Sequence, residues 1–461
     1  MNKILIPLAA LLSSFSVQAS AQPGSGLVAM QQKALADTLA WEITEGLTTE
    51  IGPRLGGTEA EARARTWSVN KLNSLGFANV RSEPFDMPTW VRGIETAEII
   101  TPFPQKLAIT ALGNSGSTGD QGLEAEVVFF PTLAALGEIP DGSLKGKIAF
   151  VSHQMMRSQD GSSYGAFGAV RFIGPNIAAK KGASAMVIRS VGTDYRRNPH
   201  TGNTRFSDRV TPIPAAALSI PDAENLRRMV ERSEEPVKMK LVLTPRNIDE
   251  QKSGNVIAEV PGSDPSLPMI LIACHLDSWD LGTGAIDDGA GCGIITAAAH
   301  RIMKSGSQPK RTIRLLWAGA EEVGIWGGQA YAEAHAEEPH ALAMESDFGA
   351  DRIWRVEFSM PEAAKDLETQ IVGSLAPLGI GRNATIVASG GADVQGIKRK
   401  QNLAIIDLQQ DGTRYFDLHH TPDDTLDKID PEQLQQNVAA WTTVLSIVAN
   451  SSIDFAMPPT E

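Results

Sequence analysis

The chain has 461 residues, of which 42% are hydrophobic and 21% charged, so it has the composition of a folded protein and more length than one compact core needs. A net charge of −13 argues against a nucleic-acid partner or an anionic membrane surface. With only two cysteines, Cys274 and Cys292, it is no disulfide scaffold.

Residues 1–21 have the pattern of a secretory leader: Lys3, the apolar run Ile4–Leu12, then the small-residue cleavage site Ala19-Ser20-Ala21. The run is too short to span a bilayer, and no later stretch is long enough, so the mature protein is expected to be exported to the periplasm or the medium. Apolar spacing predicts a helix over Leu27–Leu47. A loop of turn formers, EIGPRLGGT, follows at Glu50–Thr58. Thr58 and Glu61 form a capping box for a helix over Glu59–Leu75, which Gly76 ends, and Phe77–Phe85 reads as a strand. From Gly122 the texture changes to strands at Leu144–Val151, Ala183–Arg189 and Pro212–Leu218, with helices at Asn176–Gly182 and Ile220–Arg232. This predicts a small β-rich unit at 122–246, inserted between parts at 22–121 and 247–461. The polar run Ser190–Asp208, with Arg196, Arg197, His200 and Arg205, reads as a solvated loop, with a lid over substrate as the second reading.

Regular alternation follows. Strands are predicted at Asn255–Val260, Met269–Cys274, Thr312–Trp317, Ala341–Met344, Ala384–Val387 and Leu403–Leu408. Between and after them lie helices at Gly291–Lys304, Ile325–Glu337, Pro361–Leu378 and Pro431–Asn450. The fold class is therefore α/β, a mostly parallel mixed sheet flanked by helices. Cys274 and Cys292 fall on a strand and the next helix and read as two small buried hydrophobes, although export permits a disulfide.

Ligands collect outside the carboxyl ends of parallel strands. There the chain places His275 and Asp277, then Asp287–Asp288, Glu321–Glu322, Glu345 and Asp347, and His419–His420 with Asp423–Asp424. Singly, each has a plainer reading, since an H-x-D can be a hydrogen-bonded strand end and an acidic pair is usually solvated loop charge. His300, His335 and His340 read as packing or surface residues. The co-occurrence at successive strand exits points to a two-ion site for divalent metal, most simply zinc, with one spare carboxylate as general base.

The runs HLDSWD, GAIDDGAG, AEEVG, MESDFG and HHTPDDT, with GPRLGGT upstream, resemble the di-zinc exopeptidase family of carboxypeptidase Q and secreted bacterial leucyl aminopeptidases. The resemblance implies the Zn-exopeptidase (phosphorylase/hydrolase-like) fold, with the unit at 122–246 as a protease-associated domain. It implies two Zn2+ ions, one held by His275 and Asp347, the other by His420 and Glu322, with Asp287 bridging. Glu321 would be the base, Asp277 would hold the His275 ring, and the Asp287–Asp288 peptide would be cis. Gly390–Asp393 would lie near the site. The implied substrates are small peptides or dipeptides, of either polarity, and homodimerisation is left open. Two rivals share the scaffold. A glutaminyl-cyclase-like enzyme needs one zinc, whereas His275 with Asp347 provides for a second. A non-catalytic binding protein would lack ligands, whereas every position is filled here.

Overall fold

The computed structural model describes residues 25–459, so the expected leader lies outside the described residues. Two mixed, eight-stranded sheets carry the fold. In the first, the order is Ala78–Val91, Arg246–Val260, Ile313–Ala318, Met269–His275, His340–Glu345, Ala404–Gln410, Ile353–Ser359 and Gly381–Val387. Its centre is parallel: Ile313–Ala318, Met269–His275, His340–Glu345 and Ala404–Gln410 all run the same way. The strands on either side of this centre join it antiparallel.

The parallel strands are continuous apolar runs because both faces are covered. Ile270, Ile272 and Cys274 point into one core, shared with the helices Ala290–Met303 and Pro431–Val448. Leu271 and Ala273 point into the other, under Trp326–Ala334 and Gln395–Gln401. Each fully buried Ile or Leu there contributes roughly 1.5–3 kcal/mol. Covered faces leave only the strand ends open, and that is where polar side chains can gather.

Where spacing predicts one helix over Leu27–Leu47, two form, Ser25–Ala34 and Leu39–Gly46. Asp37 breaks the run by accepting a hydrogen bond from the Leu39 amide (2.7 Å). The strand Ile353–Ser359 was not foreseen, because Arg355 and Glu357 interrupt its apolar pattern; they pair with each other (2.6 Å) and are buried.

The second sheet runs Gln105–Leu107, Glu95–Thr101, Lys238–Leu243, Leu123–Phe130, Lys147–Val151, Ala185–Arg189, Ala215–Leu218 and Ile109–Ala111. Its strands at 95–111 precede the expected boundary at 122, which therefore falls inside the sheet. They belong there because Ala97 and Ile99 face its core while Glu95–Thr101 pairs with Lys238–Leu243. The helices expected at Asn176–Gly182 and Ile220–Arg232 form at Gly174–Lys180 and Ile220–Arg232, and two more, Leu133–Glu138 and Tyr164–Phe172, make the unit richer in helix than expected.

The cysteines correct another expectation. Cys274 and Cys292 are disulfide-bonded, with Cα atoms 5.2 Å apart, rather than packed as two thiols. Strand and helix lie close enough for this because the loop between them folds back over the strand end. The bond closes a loop across a sequence separation of 18 that contains His275 and Asp287. Loop-closure entropy makes this worth about 3 kcal/mol. The double variant Cys274→Ser/Cys292→Ser is expected to lose about that much stability in a guanidinium titration. An unchanged midpoint would contradict the assignment.

Candidate metal centre

His275 ends the strand Met269–His275, Glu321 and Glu322 follow Ile313–Ala318, and Asp347 follows His340–Glu345. His420 comes after the short helix Tyr415–Leu418 and is held with a φ of 57°, in the left-handed region. Register sets His275 beside Ala318 and Ala273 beside Glu345, so all these exits share one edge. There Asp287 stands between two histidines. Nε2 of His275 lies 3.0 Å from Asp287 Oδ1 and 3.3 Å from Asp347 Oδ1. Nε2 of His420 lies 3.0 Å from Asp287 Oδ2 and 2.9 Å from Glu322 Oε2. His419, the other candidate of that pair, turns away toward His200 and the Tyr415 carbonyl.

A ring of braces fixes these positions. Nδ1 of His275 is 3.0 Å from the main-chain oxygen of Asp277 and 3.8 Å from its carboxylate, so the main chain makes the closer contact. The Asp277 carboxylate instead accepts the amides of Glu321 (2.9 Å) and Glu322 (3.3 Å) and fixes their turn. Asp288, joined to Asp287 by a cis peptide as the resemblance implies, accepts the amides of His275 and Gly291. Residue 291 must be glycine, because a Cβ there would stand 2.1 Å from the Ser346 carbonyl and 2.2 Å from Asp288 Oδ1. Asp424 accepts the Ile286 amide at 2.6 Å.

Arg54, in the GPRLGGT loop, was not foreseen as part of this assembly. Fully buried, it donates to the carbonyls of Leu276 (2.6 Å), Thr283 (2.7 Å) and Gly284 (2.9 Å). It thereby spans the chain between His275 and Asp287. The only sequence signal for it was a lone arginine among turn formers.

Without cations the buried carboxyls would relieve their mutual repulsion by holding protons. Burial, with carboxylate neighbours, pushes Asp288, Glu321 and Asp393 well above the ordinary carboxyl range. It also lifts Glu345 to about 8, and Glu322 and Asp424 to about 7. Against burial, His275 and His420 hold Asp287 well below its usual value. Asp287 Oδ2 is buried and makes no hydrogen bond, despite its approach to His420. Tetrahedral bonds of 2.0–2.1 Å place ligand atoms about 3.3 Å apart. The observed approaches of 2.9–3.3 Å, with imidazole and carboxylate donors, therefore fit zinc.

Residues 255–445 match peptidase family M28. Carboxypeptidase Q of Bos taurus is 33% identical over 420 residues, covering 90% of this chain and 86% of that protein. The chain belongs to peptidase family M28. The crystal structure of a peptidase M28 precursor from Shewanella amazonensis is 45% identical, with a TM-score of 0.91, covering 94% of this chain and 98% of that one. A zinc aminopeptidase from Bacillus subtilis shares the fold at 19% identity and a TM-score of 0.62, over 88% of this chain and 94% of its own.

In this M28 metallopeptidase the second sheet docks against the segment that carries His420. The Thr201 amide donates to the His420 carbonyl (3.0 Å), Thr193 and Arg157 bind Asp417 (2.9 Å each), and Tyr164 stacks on Phe416 with centroids 4.6 Å apart. The stretch expected as a solvated loop is thus partly buried. His200 is enclosed, with Nε2 3.3 Å from His419 Nδ1, because it is pressed between the two units. A cleft of about 890 Å³ opens beside the centre and is lined from both units, by Arg171, Phe172 and Asn203 as well as Glu321, Asp347 and His420. Gly391 and Asp393 lie against Glu345 behind it.

Zinc bound between these groups would have to displace protons from both imidazoles. Against burial, Glu322 and Asp287 keep the His420 proton in place up to about 9. Raising the pH toward 9 removes that competitor. Zinc affinity is therefore expected to climb about tenfold per pH unit per displaced proton. Proton release, read by calorimetry in buffers of different ionisation enthalpy, checks this; an affinity flat between pH 7 and about 9 would contradict it.

Proposed function

We propose that this metallo-exopeptidase holds two zinc ions across Asp287 and hydrolyses the terminal peptide bond of small peptides. One ion would be held by His275 and Asp347, the other by His420 and Glu322. The observation that carries this reading is the two-sided approach to Asp287, one carboxylate oxygen facing each histidine. The fold shared with a zinc aminopeptidase supports the choice of metal. When bound, a zinc pair supplies Lewis-acid polarisation of the scissile carbonyl and acidification of the attacking water.

The remaining chemistry falls to the chain's own groups. Glu321 lines the cleft beside Asp287, Asp347 and His420. It takes a proton from water as the oxygen attacks the carbonyl carbon, and returns it to the amine nitrogen as the C–N bond breaks. A carboxyl that burial pushes above its ordinary range keeps that proton long enough to deliver it. Asp277 holds the Glu321 amide and so fixes the base against the site. The second sheet, proposed to be a protease-associated unit, walls the other side of the cleft. Export is supported by the Cys274–Cys292 disulfide, a bond of oxidising compartments. Among the described residues no helix is long and apolar enough to cross a membrane.

Turnover of peptides with blocked or free termini, with and without chelator, tests the reading. Cleavage of terminal bonds that chelator abolishes and zinc restores is expected; cleavage indifferent to chelator would defeat it. Glu321→Gln should keep its zinc and lose roughly 10²–10⁴-fold in kcat. Retained turnover would remove Glu321 from the base role.

A further inference from the structure

A second cavity, of about 640 Å³, shares two lining residues with the cleft beside the metal centre, Trp326 and Gln329. The strand Ala78–Val91 joins them as well, with Pro88 on the cleft and Phe85 and Asp86 on the second cavity. The two are therefore lengths of one trough, lined by this strand and by the helix Trp326–Ala334, with Arg399 and Lys400 on the second length alone. From Trp326 to Glu333 the helix rises about 10 Å, and from Pro88 to Phe85 the strand extends by about the same. That distance takes about three residues of extended peptide. The hydrolysis uses none of these groups.

The junction of the two lengths is fixed in place. Trp326 is half-buried there. The turn before it hangs from the main-chain oxygen of Glu321, which accepts the amides of Gly324 (2.9 Å) and Ile325 (2.7 Å), so the tryptophan has a set position relative to the base. Ile325 holds a φ of 59°, an uncommon conformation for a β-branched residue and of the kind retained at functional sites. At residue 324, with φ 147°, a Cβ would stand 2.9 Å from the indole nitrogen, so glycine leaves the ring room to fold back over the turn. Charge along the second length is one-sided. Asp86 is paired with Lys252 and Glu333 with Lys400, whereas Arg399 is exposed with no carboxylate within ion-pair distance among the described residues. On a chain of net charge −13, this leaves one positive point in an otherwise neutralised trough.

We infer that the second length of the trough receives the part of a peptide that trails from the scissile bond, so that the preferred substrates are oligopeptides of about five residues, with an acidic side chain where the peptide passes Arg399. The inference rests on the exopeptidase reading above. A dipeptide is spent at the metal centre and stops short of Phe85 and Arg399. A longer chain laid along Trp326 and Phe85 covers apolar surface that a dipeptide leaves in water. An exopeptidase releases one terminal piece at each turnover, so the remainder of such a peptide must lie somewhere, and the trough offers it a continuous seat.

The test is a series of peptides, from a dipeptide to about a hexapeptide, that share the terminal pair to be cleaved and are given to the zinc-loaded full chain. The longer ones carry alanine, glutamate or lysine about three residues beyond that pair. For the first cleavage, kcat/KM should climb roughly tenfold from the dipeptide to the pentapeptide, and Trp326→Ala should flatten the climb. At low salt the glutamate peptide should lead the lysine peptide about threefold, Arg399→Glu should reverse that order, and added salt should close the gap. Calorimetry on a Glu321→Gln background reads the same preferences as binding, and zinc content with melting temperature establishes that the variants are folded. A lead of glutamate over lysine that Arg399→Glu leaves intact would overturn the inference. So would a series flat in length with Arg399→Glu changing the oligomeric state, which would assign the trough to a second copy of the chain. Terminal cleavage with no length preference would sink the trough and leave the exopeptidase reading standing. Length-dependent binding without terminal cleavage of any peptide would do the reverse.

Discussion

Asp287 is the constraint on which the rest depends. A carboxylate buried between two imidazoles, with Asp347, Glu322, Glu321 and Asp288 close around it, is an arrangement that folding alone would not favour. Like charges in a low-dielectric interior repel or stay protonated. Divalent cations reverse that sign, turning mutual repulsion into shared attraction. The braces follow from the same demand. Arg54, Asp277, Asp288 and Asp424 spend their hydrogen bonds on main-chain groups of the loops that carry the ligands, and the disulfide ties strand to helix at the same place. These contacts hold the imidazole and carboxylate atoms 2.9–3.3 Å apart, within a few tenths of an ångström of the spacing zinc demands.

The parallel centre of the first sheet was legible because burial on both faces writes itself into uninterrupted apolar runs. The residue types that follow those runs marked the site. His275, Glu322 and Asp347 lie at or just beyond strand ends, and Asp287 and His420 in the segments that follow such ends, so position could nominate these groups, while the choice within each pair came from the family resemblance. What spacing could not reveal came from across the fold. Arg54 acts 222 residues from Leu276, and His200 meets His419 across 219 positions. Neither has a periodic neighbour to announce it. Arg355 and Glu357 hid a strand for the opposite reason, since a buried ion pair reads as surface until its partners are seen.

The second sheet alters how the cleft is understood. It packs on the segment Tyr415–Asp424, which delivers His420, so its seating and the position of that ligand are coupled through Thr201, Thr193 and Phe416. Any shift of one unit against the other would be felt at the centre. The second sheet is thus a wall of the cleft, contributing side chains of its own, and not a passenger beside it.

The central claim is that Asp287 is shared by two cations. Anomalous scattering at the zinc edge from crystals of the metal-loaded chain measures this directly. Two peaks are expected, one on each side of Asp287, the first against His275 and Asp347 and the second against His420 and Glu322. A single peak, or density away from the interval between the two histidines, would contradict the account.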